Sequence, residues 1–176
     1  IVFNCNILDV PVHLHAFGDF QAMNALPCIY IAKACHLKEE SILNGLAHLE
    51  MTKMRTQLIP VQNAYILDDT YKSNPESAKA AIDTLMVLPA KKHIAILSDM
   101  LDLGSEEKKL HYDVGEYAKE KGVDALYCTG PLSKETSDGF NGNWYETKDE
   151  IYEAVKPLLE EDCVILIKGS RAMKMD

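Results

Sequence analysis

The sequence predicts an α/β fold, in which a mostly parallel sheet carries helices on both faces and follows a mainly helical segment. In the second part of the chain, apolar runs alternate with amphipathic helix-like segments, which is typical of consecutive βα units. The apolar runs are nearly continuous, as expected for strands that are buried on both faces. We therefore divide the 176 residues into regions 1–61 and 62–176.

The first region is predicted to be mainly helical. Residues 22–35 are apolar except for Asn24 and Lys33, and Pro27 suits a first helical turn. Residues 1–14 alternate like a strand that Pro11 interrupts. Residues 39–49 place apolar side chains on one helical face, namely Ile42, Leu43, Leu46 and Leu49. This region is too small to be a good independent domain, so we interpret it as the end of a domain whose front precedes Ile1.

The second region is predicted to alternate between strand and helix. Asn74 is placed to cap the first of its helices, and Pro75 to occupy the first helical position. The predicted strands are residues 64–67, 93–97, 125–129 and 163–167, with a short strand at Trp144 and Tyr145. The predicted helices are residues 75–85, 105–119 and 148–159.

Charge and composition exclude several classes of protein. The 27 acidic and 18 basic residues give a net charge of −9, which repels phosphate backbones and argues against nucleic acid as a partner. The sequence has no uncharged apolar run of about 18 residues, so no membrane span is predicted. The first residues have neither a basic flank nor a starting Met, so they are not a signal peptide, and we expect the chain to derive from a longer one.

The cysteines predict a reducing, cytoplasmic compartment. There are five of them, an odd number, and the sequence contains no C-x-x-C pair. Neither a disulfide framework nor a zinc cage fits this pattern.

Polar residues follow each of the main predicted strands. The carboxyl ends of parallel strands meet at one edge of a sheet, which is where such folds bind ligands. Four polar clusters at that edge therefore predict a ligand site, and they comprise residues 68–75, 98–100, 129–131 and 168–171.

The sequence lacks the common motifs of nucleotide-binding and hydrolytic enzymes. No G-x-G-x-x-G follows the first strand, which disfavours a dinucleotide-binding domain. No G-x-x-x-x-G-K-[ST] occurs, so this chain has no P-loop and is expected to be inactive alone. H-E-x-x-H and G-x-S-x-G are also absent, so we assign no metal ligand and no catalytic residue.

Read together, the clusters resemble the motifs of Mur ligases. Residues 68–77, D-D-T-Y-K-S-N-P-E-S, are similar to the family's D-D-x-Y-x-x-N-P-x-S. Residues 98–104 resemble G-D-M-x-E-L-G, and His111 with Gly115 matches the H-x-x-x-G that follows. Residues 168–175 resemble K-G-S-R-x-M-x-M, while residues 18–25 and 52–55 resemble upstream segments. The resemblance covers the chain from about Phe17 onward. It departs from the pattern at Phe20, Gln21, Lys72 and Ser98.

The resemblance implies a fold and an activity. Region 1–61 would be the end of a central P-loop ATPase domain, and region 62–176 a Rossmann-like C-terminal ligase domain. The family member most similar in its motifs uses ATP and Mg²⁺ to activate a carboxylate of UDP-N-acetylmuramoyl-tripeptide as an acyl phosphate. The amine of D-Ala-D-Ala then attacks it, in peptidoglycan biosynthesis. The P-loop, most Mg²⁺ ligands and the UDP-sugar site would precede Ile1, and the protein would be a monomer.

The resemblance also implies site residues. Those for ATP are Asn24, Arg55, Asp69, Tyr71 and Asn74, and those for D-Ala-D-Ala are Lys168, Ser170, Arg171 and Asp99. Asp69 suits the two ribose hydroxyls, Arg55 the nucleotide oxygens and Asn24 an adenine edge. Lys168, Ser170 and Arg171 suit a carboxylate.

Two alternatives stay open. One is a related amide ligase of the folylpolyglutamate or cyanophycin type, against which residues 99–100 and 168–171 argue. The other is a non-catalytic module that retains the fold.

Overall fold

The computed structural model describes residues 1–50 and 52–176, which form two compact units, Ile1–Thr52 and Lys53–Asp176. The N-terminal unit contains a small antiparallel pair and two helices, β1 (Val2–Phe3), β2 (Val12–His13), α1 (Phe20–Ala34) and α2 (Glu39–Ala47). Val12, Ile29 and Ile42 are buried in its core. The prediction of a mainly helical first segment is confirmed, whereas Pro27, which was predicted in a first helical turn, lies in the interior of α1.

The C-terminal unit alternates strand and helix. Its strands are β3 (Gln57–Val61), β4 (Ala64–Asp69), β5 (Lys92–Ser98), β6 (Ala125–Thr129), β7 (Asn143–Tyr145) and β8 (Cys163–Lys168). Its α-helices are α3 (Pro75–Val87), α4 (Glu107–Lys121), α5 (Ser133–Phe140) and α6 (Lys148–Val155). Short 3-10 turns precede α4, follow α6 and follow β8.

The six strands form one mostly parallel sheet in the order β3-β4-β8-β5-β6-β7. Only β3 runs antiparallel, against β4, and the other neighbours are parallel. The predicted fold class is therefore confirmed. Because β4, β5, β6 and β8 point the same way, their carboxyl ends share one edge of the sheet.

Helices cover both faces of this sheet, because successive strand residues point to opposite faces. On one face, α3, α4 and α5 pack against a core that includes Leu67, Leu126 and Leu166. On the other face, α6 contributes Ile151 to a smaller core with Ile165. Apolar side chains on both sides explain why the strands read as continuous apolar runs.

Two elements were not predicted. β3 contains Pro60, which cannot donate a hydrogen bond to a neighbouring strand and is therefore tolerated at a sheet edge. α5 reads S-K-E-T-S-D-G-F and has too few large apolar residues to show a helical stripe. Because β3 pairs with β4, the compact units divide between Thr52 and Lys53, upstream of the predicted division between residues 61 and 62.

No helix among the described residues is both long and apolar enough to span a bilayer.

Candidate functional site

Asp69 and Lys168 form a buried ion pair at the carboxyl edge of the sheet. They are register partners at the ends of the neighbouring strands β4 and β8. The Lys168 ammonium donates to Asp69 Oδ2 at 2.5 Å and to the backbone carbonyl of Lys72 at 2.8 Å. Lys168 is 1% exposed, whereas the Asp69 side chain is 16% exposed. One lysine therefore joins two strand ends and the loop after β4.

The second oxygen of Asp69 holds the segment that precedes β3. The Thr56 backbone N–H donates to Asp69 Oδ1 at 3.1 Å, and the Thr56 hydroxyl lies 3.4 Å from the same atom. Burial lowers the pKa of the Lys168 ammonium, and the Asp69 charge opposes this shift. Asp69 is thus bonded on both oxygens while its side chain keeps some contact with solvent.

Arg55 and Tyr71 form an exposed pair near Asp69, since Arg55 directly precedes Thr56, which binds Asp69, and Tyr71 follows Asp69 by two residues. The Arg55 guanidinium carbon lies 4.2 Å from the Tyr71 ring centroid, a cation–π geometry. The Tyr71 N–H donates to the Met54 carbonyl at 3.1 Å, which joins the two segments through their backbones. The planar face of the guanidinium lies against the ring, and its N–H groups have no hydrogen-bond partner among residues 1–50 and 52–176.

Asn74 and Asn24 lie in different units. The Asn74 side chain accepts the Ser77 N–H at 2.8 Å, so it caps α3 as predicted. Asn24 is exposed on α1, and its amide donates to Gln21 Oε1 at 3.1 Å. Their roles in nucleotide binding stay predictions.

Asp99 is buried at the carboxyl end of β5. Its Oδ1 accepts the N–H groups of Leu132 at 3.1 Å and Ser133 at 2.7 Å, where α5 begins. A Cβ at Gly130, where φ is +111°, would lie 2.4 Å from that oxygen, so only glycine fits there. Asp99 is 2% exposed and caps α5 from inside the protein.

Ser170 and Arg171 follow β8 but differ in exposure. The Ser170 hydroxyl accepts the Leu101 N–H at 3.1 Å, and the Ser170 N–H donates to the Asp99 carbonyl at 3.2 Å. Arg171 is exposed, and its guanidinium contacts Met54 Sδ and Asp176 at 2.8 and 3.3 Å. Ser170 therefore links two strand-end loops, and Arg171 is an exposed cation that pairs with Asp176.

The residues predicted to bind D-Ala-D-Ala differ in how far their side chains are exposed to solvent. Lys168 is predicted to bind a free carboxylate, yet its ammonium is buried and bonded to Asp69. Asp99 is predicted to contact substrate, yet its carboxylate faces backbone N–H groups. In this structure both act as internal supports, because desolvated charges need fixed partners. Arg171 alone of the three charged residues has the exposure that the prediction requires.

Two polar residues with a role at this edge were not predicted. Thr56 is buried against Asp69, and nothing in its local sequence marks it. His111 is fully buried on α4, where its Nε2 accepts the Met100 N–H at 2.9 Å and its Nδ1 donates to the Glu107 carbonyl at 2.7 Å. The H-x-x-x-G match was the only signal for His111.

Two further features lie outside the strand-end residues. Within residues 1–50 and 52–176, no three His, Cys, Asp or Glu side chains are grouped so that they could hold a metal ion. A groove of about 620 Å³ lies on the α6 face of the sheet and has a mostly apolar lining that includes Ile66, Val155 and Ile165. Neither feature includes a predicted site residue.

Comparison with known proteins identifies similar sequences and structures. Residues 54–171 match the family model described as Mur ligase, glutamate ligase domain. The chain is 32% identical over 174 residues to the UDP-N-acetylmuramoyl-tripeptide–D-alanyl-D-alanine ligase of Escherichia coli. The aligned region covers 96% of this chain and 38% of that protein. The chain spans between 30% and 38% of the length of the curated relatives it matches.

Solved structures share the fold. MurF from Acinetobacter baumannii matches with a TM-score of 0.89 and 23% identity, over 99% of this chain and 39% of that one. MurF ligase from Thermotoga maritima in complex with ADP matches with a TM-score of 0.82 and 22% identity, over 94% of this chain and 38% of that one.

Proposed function

The chain belongs to the Mur ligase family, and we propose that it forms the nucleotide- and acceptor-binding end of an ATP-dependent amide ligase. The proposed reaction adds D-Ala-D-Ala to UDP-N-acetylmuramoyl-tripeptide in peptidoglycan biosynthesis. Similarity to the Escherichia coli tripeptide–D-alanyl-D-alanine ligase supports this substrate class. A cytoplasmic location and a monomeric state are part of the proposal.

One observation carries the nucleotide assignment. The exposed Arg55–Tyr71 pair lies beside the partly exposed carboxylate of Asp69, at the carboxyl end of β4. A guanidinium suits phosphate oxygens, and a carboxylate suits vicinal hydroxyls. These residues therefore fit the phosphate and ribose parts of ATP, and the ADP bound by the Thermotoga maritima relative supports that choice of ligand.

The chemistry proceeds through two transfers. The γ-phosphoryl group of ATP passes to the tripeptide carboxylate, and ADP leaves. The D-Ala-D-Ala nitrogen attacks the acyl carbon, inorganic phosphate leaves, the nitrogen loses a proton and an amide remains. In this scheme Arg55 and Asp69 orient the nucleotide, and Arg171 orients the dipeptide carboxylate through parallel hydrogen bonds.

Mg²⁺ is expected to accompany ATP. The described residues offer no cluster of ligands that fits the ion, so we assign no metal contact to this chain. Ser170 is proposed as a supporting donor near Arg171, because its hydroxyl proton is free to rotate while its oxygen accepts the Leu101 N–H.

The two arginines allow a matched test in the full-length ligase. Arg55→Ala should raise the KM for ATP roughly 10- to 100-fold and leave the KM for D-Ala-D-Ala near normal, since charge-assisted hydrogen bonds are worth about 1.5–3 kcal/mol. Arg171→Ala should do the reverse. Each variant serves as the control for the other, because both arginines are exposed and a general loss of folding would change both KM values. Two normal KM values in both variants would contradict the assignment.

A screen of acceptors tests the substrate. Steady-state phosphate release should respond to D-Ala-D-Ala and far less to single amino acids. A preference for glutamate would indicate a folylpolyglutamate-type ligase, and a preference for aspartate or arginine would indicate a cyanophycin-type ligase. No acceptor-dependent turnover in a folded, full-length protein would indicate a module that retains only the fold.

A further inference from the structure

We propose that Lys168 is a positioning residue for the nucleotide, which acts by holding the Asp69 carboxylate and the loop after β4 in the geometry that binds ribose. This inference rests on the proposed function, because it assigns a support to the Asp69 contact. It replaces the role in which Lys168 binds the dipeptide directly.

The contacts of Lys168 define what it can hold. The ammonium reaches Asp69 Oδ2 and the Lys72 carbonyl, at 2.5 and 2.8 Å. Asp69 ends β4 and Lys72 lies within the segment that connects β4 to α3, so the two partners stand on either side of Tyr71 in the chain. Because Lys168 is the last residue of a central, buried strand, its backbone is fixed by β4 and β5 on either side. A rigid strand thereby sets the position of a surface loop.

Asp69 transmits this constraint to the other side of the site. Its Oδ1 binds Thr56, which directly follows Arg55. Met54 and Thr56 have φ values of 64° and 53°, a left-handed conformation that non-glycine residues rarely adopt without outside support. The contacts from Asp69 and from the Tyr71 N–H to the Met54 carbonyl supply that support. Release of Asp69 should therefore also loosen Arg55.

The chemistry of the pair favours positioning over stability as its role. Removing an ammonium and a carboxylate from water is unfavourable, so a buried ion pair is often no more stable than apolar side chains of similar volume. The lowered pKa of Lys168 reflects that desolvation. An apolar pair would not hold a carboxylate in a fixed position with part of it accessible to a ligand. The Asp69 carboxylate is held in this way, because 16% of its side chain remains exposed.

The discrimination between ATP and 2′-deoxy-ATP measures this geometry directly. The full-length ligase is assayed with both nucleotides as wild type, Lys168→Met and Lys168→Gln. Lys92→Met is the matched control, because Lys92 is ion-paired with Glu161 at the amino end of β5, away from the site. Wild type and control should prefer ATP by roughly 10-fold or more in kcat/KM, as expected for a hydrogen bond to a charged acceptor.

The Lys168 variants should lose most of that preference, mainly through the KM for ATP. Lys168→Gln, whose amide still donates hydrogen bonds, should keep more of it than Lys168→Met. A folded Lys168 variant that retains the wild-type preference overturns the inference, as does failure of even Lys168→Gln to fold, because the lysine would then be structural. A wild type that does not discriminate overturns the ribose contact of the proposed function, and this inference with it.

Discussion

Asp69 is the last residue of β4 and Asp99 directly follows β5, so both lie at the carboxyl edge of the sheet, where β8 separates the two strands. Asp69 is balanced by the ammonium of Lys168, and part of its side chain reaches solvent. Asp99 is balanced by two backbone N–H groups at the start of α5 and is closed off by Gly130. The same residue type therefore reaches solvent in one place and faces the protein interior in the other.

We expect a carboxylate that binds a ligand to differ from a structural one in its exposure, and these two residues differ in that way. Position at the edge of the sheet is common to both residues, so it does not distinguish them. The two residues are distinguished by exposure, because Asp69 is partly exposed and has exposed neighbours such as Arg55 and Tyr71. The compensating group also differs, since backbone N–H groups hold Asp99 in a helix cap and a side-chain cation holds Asp69 next to a loop. We expect changes around Asp99 to alter stability and changes around Asp69 to alter nucleotide use.

The largest expected effect is on stability, at the buried carboxylate Asp99. Asp99→Ala should lower the free energy of unfolding by roughly 3–5 kcal/mol, because two buried N–H groups lose a charged acceptor. Urea denaturation measures the loss. Asp138→Ala, at an exposed position on α5, is the control and should change little. A loss below about 1 kcal/mol would show that Asp99 does not hold α5.

The next effect tests whether Asp69 and Lys168 act as one unit. In a double-mutant cycle with Asp69→Asn and Lys168→Met, we expect a coupling of about 1–3 kcal/mol, because each single variant leaves a buried group without its partner. The exposed Lys92–Glu161 pair provides a comparison cycle and should couple much more weakly. Additive single losses would mean that the two residues are energetically independent.

A smaller effect, on the KM for ATP, is expected at the exposed residue Tyr71. Tyr71→Leu removes the ring beneath Arg55 and should raise the KM for ATP about two- to fivefold, in line with roughly 0.5–1 kcal/mol for an exposed cation–π contact. The melting temperature should stay unchanged, because Tyr71 is exposed. Tyr152→Leu, another exposed tyrosine that lies on α6, should leave the KM unchanged. A lower melting temperature with a normal KM would show that Tyr71 supports the fold and does not contribute to ATP binding.

The smallest effect concerns another capping carboxylate, Glu150, which is exposed and belongs to the capping box of α6. Hydrogen bonds from the Thr147 backbone and hydroxyl lower the pKa of Glu150 below its ordinary value of 4.5. Its stabilising contribution is therefore present above pH 4.5 and is lost as the pH falls through the lowered pKa. The melting temperature of Glu150→Ala should lie below that of wild type at pH 7, and the difference should narrow as the pH is lowered to 3. An equal gap at both values would show that the cap does not depend on charge.

Much of the fold follows from the sequence because its signals are local. Alternating apolar runs predicted β4, β5, β6 and β8, and the N-P dipeptide predicted the start of α3. β3 and α5 were missed for opposite reasons. Pro60 argues against a strand unless an edge position is known, and α5 is attached by small side chains rather than by an apolar stripe.

The sequence predicts which residues lie at the carboxyl edge of the sheet, but it does not predict which of them pair with one another. The edge of the sheet and the residues on it follow from strand ends. The pairing of Asp69 with Lys168 joins positions 99 residues apart, and no local pattern reports it. Exposure is also a tertiary property, which is why Lys168 and Arg171 look alike in sequence and differ in the structure.

The strand order has a consequence for synthesis of the chain. β8 is the last strand of the sheet to be translated, yet it lies between β4 and β5, each of which pairs with it. While the ribosome makes the intervening residues, both edges remain without their final neighbour. Open edges of apolar strands attract other chains, and pairing across a long sequence separation is slow. The yield of native protein is therefore expected to depend on how long a nascent chain waits for β8, and on chaperones that shield the two edges in that interval.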